Sequence, residues 1–276
     1  MNTANRRYLD FEQLELPDAV YKYRSFGNVR HKTILTALQV YMAPPKSFED
    51  PNDCKNLVRY DLLTDSDIIS WYFNESLKRN PGFDIIQHIQ YANEWSAKSP
   101  VRNRAYTKQK QLEDFDEYNK RIGILSLAAN STSSTMWDKY SDGHKGFCVG
   151  FNPRVMFRYL GGGGKVTYCD TLPEIKPHPW DDYDVQHLKQ VFHKLRKWEF
   201  EQEYRTQKFS YTPLTKSERT IVLSKESYME IIFGAKISNI DMQAIFEICD
   251  KTLPHIQYKQ AQINSSGEVD IFPISR

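Results

Sequence analysis

The chain has 276 residues, of which 40% are hydrophobic and 26% charged, and its formal net charge is +2 at pH 7. These fractions are typical of a globular protein and exclude wholesale disorder, while the near balance of charge excludes bulk electrostatic binding to nucleic acid or a membrane. The four cysteines lack Cys-x-x-Cys spacing, and neither a signal-peptide pattern nor an apolar run of ~20 residues is visible. We therefore expect a reduced, cytoplasmic protein.

Both strands and helices are predicted in the first part of the chain. Residues 19–23 alternate and are rich in β-forming types, which predicts a strand. Residues 29–38 carry apolar side chains at helical spacing, and 39–43 predict a second strand that Pro44 and Pro45 terminate. From 64 to 121 the pattern is helical and polar, which predicts a helical insertion.

Short strands return after the insertion. We predict strands at 122–127, 146–151 and 165–169, with a helix that begins at Asn152 and Pro153 between the last two. A helix is predicted over 185–198, strands over 199–209, 219–223 and 229–233, a helix over 241–251, and two closing strands over 255–263 and 268–272. This irregular mixture favours a single α+β domain over residues 1–276, with a mixed, mainly antiparallel sheet and the insertion at 64–121.

Five segments resemble, in content and order, one bacterial family. They are 21–26 (YKYRSF), 47–53 (SFEDPND), 136–148 (MWDKYSDGHKGFC), 197–205 (KWEFEQEYR) and 230–235 (EIIFGA). The family is domain-of-unknown-function family 2971, and the resemblance covers the chain from Tyr21 to about Gln262. The segment 136–148 is its most specific part. The family name implies no activity.

The order of elements is also similar, more weakly, to that of the ADP-ribosyltransferase superfamily. Members often carry a histidine or arginine on an early strand, a tyrosine or serine on the next and a glutamate on a late strand. Arg24, Tyr41 and Glu203 match that order. The resemblance implies an enzyme that takes NAD as substrate and transfers ADP-ribose to a nucleic-acid or protein acceptor. It also implies a bacterial toxin or phage-defence effector, with an antitoxin or operon partner.

Cleavage of the nicotinamide–ribose bond passes through a positively charged sugar, which a fixed carboxylate stabilises. We predict Glu203 for that role and Glu201 as an assisting general base, since on a strand both project from one face. Arg24 is suited to a phosphate or ribose and Tyr41 to the nicotinamide ring, and Tyr23 is a further candidate for NAD binding. His144, beside Gly143 and Lys145, is a candidate phosphate ligand or acid/base.

Other interpretations remain open. The segment 201–205 is also compatible with an exposed strand whose charges form weak ion pairs, and the tyrosines with ordinary core positions. The chain could then be a non-catalytic ligand- or partner-sensing module of a defence operon. A third hypothesis places Asp50, Asp53, Glu201 and Glu203 around Mg²⁺ in a nuclease-like site. The basic segments 102–110 and 189–197 are where we expect a polyanionic target to dock.

Overall fold

The computed structural model describes residues 13–275. The strands are β1 (Val20–Arg24), β2 (Gln39–Tyr41), β3 (Ile122–Ala128), β4 (Phe147–Phe151), β5 (Gly164–Lys165), β6 (Thr167–Cys169), β7 (His193–Leu195), β8 (Glu203–Phe209), β9 (Thr220–Val222), β10 (Tyr228–Phe233), β11 (Gln257–Ile263) and β12 (Val269–Pro273). The α-helices are α1 (Val29–Thr36), α2 (Asp65–Arg79), α3 (Ile85–Ala97), α4 (Arg104–Arg121), α5 (Ser134–Tyr140), α6 (Pro153–Leu160), α7 (Tyr183–Val191) and α8 (Asn239–Thr252). No helix within residues 13–275 is long and apolar enough to cross a membrane.

The main sheet has eight strands in the order β12-β11-β10-β4-β1-β3-β8-β5. Strands β10 and β11 run parallel, and the other neighbouring pairs are antiparallel. Two small sheets pair β2 with β9 and β6 with β7. This mixed, mostly antiparallel sheet with helices confirms the predicted α+β class.

The two faces of the main sheet carry different cores. Because side chains alternate along a strand, Leu127 and Val149 point to one face and their neighbours Ala128 and Cys148 to the other. The first face packs against residues of α1, α6 and α8 in the larger apolar cluster. The second face carries a smaller cluster around Trp137 of α5. The smaller cluster leaves part of this face to polar side chains.

The described chain divides into two compact units. The first contains the main sheet and consists of the residues up to 54, 119–171 and those from 191 onward. The second consists of 55–118 and 172–190 and contains α2, α3, most of α4 and most of α7. The sequence led us to expect one domain with an insertion at 64–121. Most of that helical segment lies in the second unit, together with residues 172–190.

A local signal explains where one helix begins, and strand pairing explains where another ends. Helix α6 begins as predicted, because the Asn152 side chain accepts hydrogen bonds from the N–H groups of Arg154 and Val155. The helix predicted over 185–198 is wrong in its second half. Helix α7 ends at Val191, and β7 then pairs in parallel with β6. A short strand, followed by the 3₁₀ segment Arg196–Glu201, thus replaces the last two turns of the expected helix.

Candidate active site in the main-sheet unit

A cleft opens where two strands of the main sheet part. Strand β1 pairs with β4 along its whole length but with β3 at the single pair Tyr21↔Ala128. Beyond that pair the Lys22 Nζ donates to the carbonyl oxygen of Ser126, so a side chain bridges the gap. The cleft has a volume of about 260 Å³. Its charged lining residues are Lys22, Arg24, Glu49, Asp50, Asp53, Lys139, Lys194, Glu201 and Glu203.

Three carboxylates converge on one ammonium in the wall of this cleft. The Lys194 Nζ lies 2.5 Å from Glu201 Oε2, 3.1 Å from Glu203 Oε2 and 3.3 Å from Asp53 Oδ2. All four side chains are buried. Burial lowers the pKa of Lys194, but the three carboxylates outweigh that effect and hold the pKa well above its ordinary value. Lys194 is therefore a permanent cation that binds the three acidic residues together.

Arg205 forms the floor of the same cluster and is fully buried. Its Nε and Nη2 donate to the two oxygens of Glu203 at 2.7 and 2.8 Å, and Nη2 also donates to Asp53 Oδ2 at 2.8 Å. Its Nη1 donates to the Cys54 sulfur and to the Val191 carbonyl oxygen at 2.8 and 2.7 Å. Every guanidinium nitrogen is thus engaged, as a buried charge requires.

These contacts set the charge of the cluster. Burial raises the pKa of Glu203, but Arg205 and Lys194 outweigh burial and bring the pKa to about 2. With Asp53, Glu201 and Glu203 ionised, three negative charges face two positive ones, which leaves a formal charge of −1. A buried excess of negative charge favours a ligand, or a transition state, that is positive nearby.

Glu201 differs from Glu203 in how its oxygens are used. The Tyr140 hydroxyl donates to Oε1 at 2.6 Å, and Lys194 donates to Oε2. Each oxygen of Glu201 thus accepts one described hydrogen bond, whereas Glu203 Oε2 accepts two. Glu201 does not lie on a strand, as predicted, but ends the 3₁₀ segment Arg196–Glu201. Gln202 follows in the left-handed conformation and turns the chain into β8.

The opposite wall of the cleft carries two cations from β1. Lys22 and Arg24 are half-buried, and neither forms an ion pair with a carboxylate among residues 13–275. Burial, followed by the charge of Arg24, lowers the pKa of Lys22 to about 7. Burial likewise lowers the pKa of Arg24 to about 10. Two neighbouring cations that form no ion pair within the described residues provide a site that favours an anionic ligand group.

Aromatic side chains complete the lining. The Lys139 Nζ lies 3.8 Å from the centre of the Trp198 ring, a cation–π distance. The indole nitrogen of Trp198 is buried and has no hydrogen-bond partner within the described part of the chain. Tyr140, the donor to Glu201, lies beside Lys139, whose Nζ is 5.3 Å from its ring centre. The cleft therefore combines charged groups with planar apolar surfaces, as ligand sites commonly do.

The structure brings four of the six predicted site residues to this cleft: Tyr23, Arg24, Glu201 and Glu203. Tyr23 is 2% exposed, its hydroxyl donates to the Asn130 carbonyl oxygen at 2.7 Å, and its ring packs edge-on against Trp137. These contacts fix Tyr23 as part of the core beneath the cleft. A tyrosine with its hydroxyl already engaged is a poor candidate for direct ligand contact.

Tyr41 and His144 lie elsewhere and do not line the cleft. Tyr41 pairs with Thr220 in the small β2–β9 sheet and is 41% exposed. His144 is 2% exposed, stacks on Trp137, and places Nε2 3.2 Å from Asp138 Oδ1. Burial lowers its pKa, so His144 is neutral at pH 7. Its surroundings resemble those of a packed core histidine.

The sequence did not identify several residues that line the cleft. Lys194, which contacts three carboxylates, is the main one. Val191, Leu195 and Trp198 have i, i+4, i+7 spacing, which mimics the apolar stripe of a helix. The signal that could have found Lys194 is the acidic excess of 201–203, because buried carboxylates need a cationic partner. The sequence does not say which of many lysines supplies it.

The predicted metal site has a different occupant. Asp53, Glu201 and Glu203 do meet, as that hypothesis requires, but Lys194 lies among them. Within residues 13–275 no group of three or more His, Cys, Asp or Glu side chains is arranged to hold a metal ion. Asp50 caps a turn, since its Oδ1 accepts from the N–H of Asn52 at 3.1 Å. The residues present do not fit a Mg²⁺ cage.

The two basic segments expected to dock a polyanion are partly neutralised by nearby acids. Arg102 pairs with Asp65 and Lys110 with Asp114, each at 2.5 Å. Lys189 pairs with Asp181 at 2.6 Å. Lys194, in the second segment, is buried in the carboxylate cluster. These contacts reduce the positive charge that either segment presents.

Comparisons of the whole chain with protein-family models, curated proteins and solved structures found no match.

Proposed function

We propose that the chain is an ADP-ribosyltransferase-like enzyme that cleaves NAD in the cleft and transfers ADP-ribose to a nucleic-acid or protein acceptor. One observation carries this proposal: Glu201 and Glu203 line the same cleft as Arg24, which lies far from them in the sequence. The weak resemblance of element order to the superfamily supports the same reading. A role as a toxin or phage-defence effector, with an antitoxin or operon partner in the cytoplasm, belongs to this proposal.

The chemistry needs negative charge close to the ribose. As the bond to nicotinamide breaks, positive charge develops on the sugar, and the cluster's formal charge of −1 stabilises it. Because ion pairs and hydrogen bonds hold the cluster before the substrate arrives, little reorganisation is needed during the reaction. A fixed cluster of this kind lowers the barrier to cleavage of the bond through its charge.

The hydrogen bonds suggest which carboxylate contacts the substrate. Both oxygens of Glu203 are held by Arg205, and one is also held by Lys194. Glu201 accepts one described bond at each oxygen, so it retains a lone pair for a ribose hydroxyl or an incoming nucleophile. We therefore assign catalysis to Glu201 and positioning to Glu203. This assignment reverses the roles expected from the sequence.

Arg24 is assigned to the pyrophosphate of NAD. Its guanidinium is half-buried in the cleft and has one described hydrogen bond, a long one of 3.4 Å to the Tyr23 carbonyl oxygen. A guanidinium with donors to spare binds phosphate oxygens in a bidentate way. Tyr41 and His144, which do not line the cleft, take no part in this proposal.

A second candidate function is a non-catalytic ligand-sensing module. The observation that favours it is that the hydrogen bonds of Glu203 and Lys194 are made to other residues of the cluster. Side chains whose hydrogen bonds are used in this way have little capacity left for chemistry. In that case the cleft would bind an anionic ligand at Arg24 without converting it. The two candidates differ in whether any bond of NAD is broken.

The test is nicotinamide release from NAD by the full chain, with and without added RNA, DNA or cell lysate. Glu201→Gln should reduce release by about 100-fold or more, the usual effect of removing one group that stabilises transition-state charge. The matched control is Glu199→Gln in the same 3₁₀ segment, because the Glu199 side chain is 55% exposed and pairs with Arg196. Absence of release by folded wild-type protein under every condition would refute the enzyme and favour the module.

A further inference from the structure

Lys22 has an unusual position for a lysine. It lines the cleft, and its Nζ donates to the backbone carbonyl oxygen of Ser126 across the gap between β1 and β3. Lys194, in the same cleft, has three carboxylates within 3.3 Å, whereas Lys22 has no ion pair with a carboxylate of residues 13–275. An amine in a ligand cleft without a counter-ion is the arrangement found for nucleophilic lysines.

Arg24 lies two residues along the same strand and lines the same cleft. Residues i and i+2 of a strand project from one face, so the amine and the guanidinium lie side by side. The guanidinium supplies a site for a phosphate or carboxylate group, and the amine lies beside the remainder of such a ligand. This pairing selects a molecule that carries both an anionic group and an electrophilic one.

We propose that Lys22 is a nucleophilic amine that captures aldehydes or ketones bearing a phosphate or carboxylate group as an imine, with Arg24 binding the anion. The inference goes beyond the proposed function and does not depend on NAD being a substrate. The neutral Lys22 amine attacks the carbonyl carbon to give a carbinolamine. Both N–H hydrogens and the carbonyl oxygen then leave as one water molecule, and a C=N bond remains.

The groups around Lys22 keep its amine reactive at neutral pH. Burial and the adjacent Arg24 lower its pKa to about 7, and Lys194 acts in the same direction. Glu203 and Glu201 oppose this shift; each influences the pKa of Lys22 less than burial and Arg24 do but more than Lys194 does. From the other packed elements, His31 of α1 and the Cys148 thiol of β4 also interact electrostatically with Lys22. At pH 7 the neutral amine is thus a far larger fraction of Lys22 than of an ordinary lysine, whose pKa is about 10.4.

The experiment uses pyridoxal 5′-phosphate as a phosphorylated aldehyde and cyanoborohydride to reduce any imine that forms. Peptide mapping of the full chain then gives the labelling rate at each lysine. Lys139 is the internal reference, because it lines the same cleft but is exposed. At pH 7 we expect labelling at Lys22 at least tenfold faster than at Lys139, with a midpoint in its pH profile near 7. Equal rates at the two lysines would overturn the proposal.

Variants separate the two parts of the site. Lys22→Arg keeps the charge but removes the nucleophile, and should abolish the fast labelling, while Lys139→Arg should leave it unchanged. Arg24→Gln should slow labelling by pyridoxal 5′-phosphate but not by pyridoxal, which lacks the phosphate. Equal effects on both aldehydes would refute the anion site. Because the wild-type map compares two lysines within one molecule, the result does not depend on a variant folding. A chain that labels at Lys22 but releases no nicotinamide would support this inference and contradict the proposed function.

Discussion

The ammonium of Lys194 donates to Glu201 over 2.5 Å, and both side chains are buried. The contact joins β7, which the sequence did not reveal, to the 3₁₀ segment that ends at Glu201. Because Lys194 donates to Oε2 of Glu201, the other oxygen, Oε1, accepts from the Tyr140 hydroxyl. The stability of the cluster and the chemistry proposed for it therefore depend on the same pair.

Lys194→Met should destabilise the protein strongly. Removal of the ammonium leaves three buried carboxylates with reduced compensation, and breaking a buried ion pair in this way costs about 3–5 kcal/mol. Urea unfolding measures the change in the free energy of unfolding. Arg196→Met is the control, because its pairs with Asp170 and Glu199 are exposed and should contribute little. Equal stabilities of the two variants would contradict the central role of Lys194.

Stability should depend on the ionisation of Lys22 at alkaline pH. Its pKa is about 7 in the folded chain and 10.5 in the unfolded one, so between these values the unfolded chain binds the extra proton. Rising pH therefore favours the folded state across this window. The difference in unfolding free energy between wild type and Lys22→Met should shift in favour of wild type from about pH 7 to 10.5. A flat or falling difference would show that Lys22 titrates normally.

Gly146→Ala should disturb the cleft through the backbone. A Cβ at position 146 would lie 2.1 Å from the Arg24 carbonyl oxygen and 2.7 Å from the Ser141 hydroxyl oxygen. The end of β1 would have to move, at a cost of about 3 kcal/mol or more. Gly82→Ala is the control, because nothing lies within 4 Å of its added Cβ. Thermal unfolding should show a large fall in Tm for the first variant and little change for the second.

Tyr140→Phe tests the hydrogen bond to Glu201. Loss of a bond to a charged group costs about 1.5–3 kcal/mol, and the freed carboxylate oxygen becomes less well oriented. If Glu201 is catalytic, kcat for nicotinamide release should fall more than KM changes. Tyr159→Phe is the control, because Tyr159 is 56% exposed. A change confined to KM would place Tyr140 in substrate binding instead.

Much of the fold follows from local signals in the sequence. The alternating strands around Val20 and Val149 and the Asn152 cap all appear at the predicted positions, because each depends on neighbours in the chain. The helix predicted over 185–198 is wrong in its second half because of a tertiary contact. Strand β7 exists because Thr167–Cys169 pairs with it, and nothing within the segment itself signals that partner.

The candidate site was predictable only in part, because some of its contacts join distant parts of the chain. Glu201, Glu203 and Arg24 could be selected by residue type and order along the chain. Their surroundings could not, because Arg205 meets Asp53 across 152 positions of sequence. Order along the chain alone selected Glu203 as the carboxylate that stabilises the sugar. The burial of Glu203 also means that Glu203→Gln should destabilise the fold.

We propose that Glu201 contacts the substrate during catalysis and that Glu203 has a positioning role. The most direct measurement compares nicotinamide release and urea unfolding for wild type, Glu201→Gln and Glu203→Gln. We expect Glu201→Gln to lose about 100-fold or more in activity with a modest loss of stability, and Glu203→Gln to lose several kcal/mol of stability. Release by Glu201→Gln at the wild-type rate would contradict this proposal.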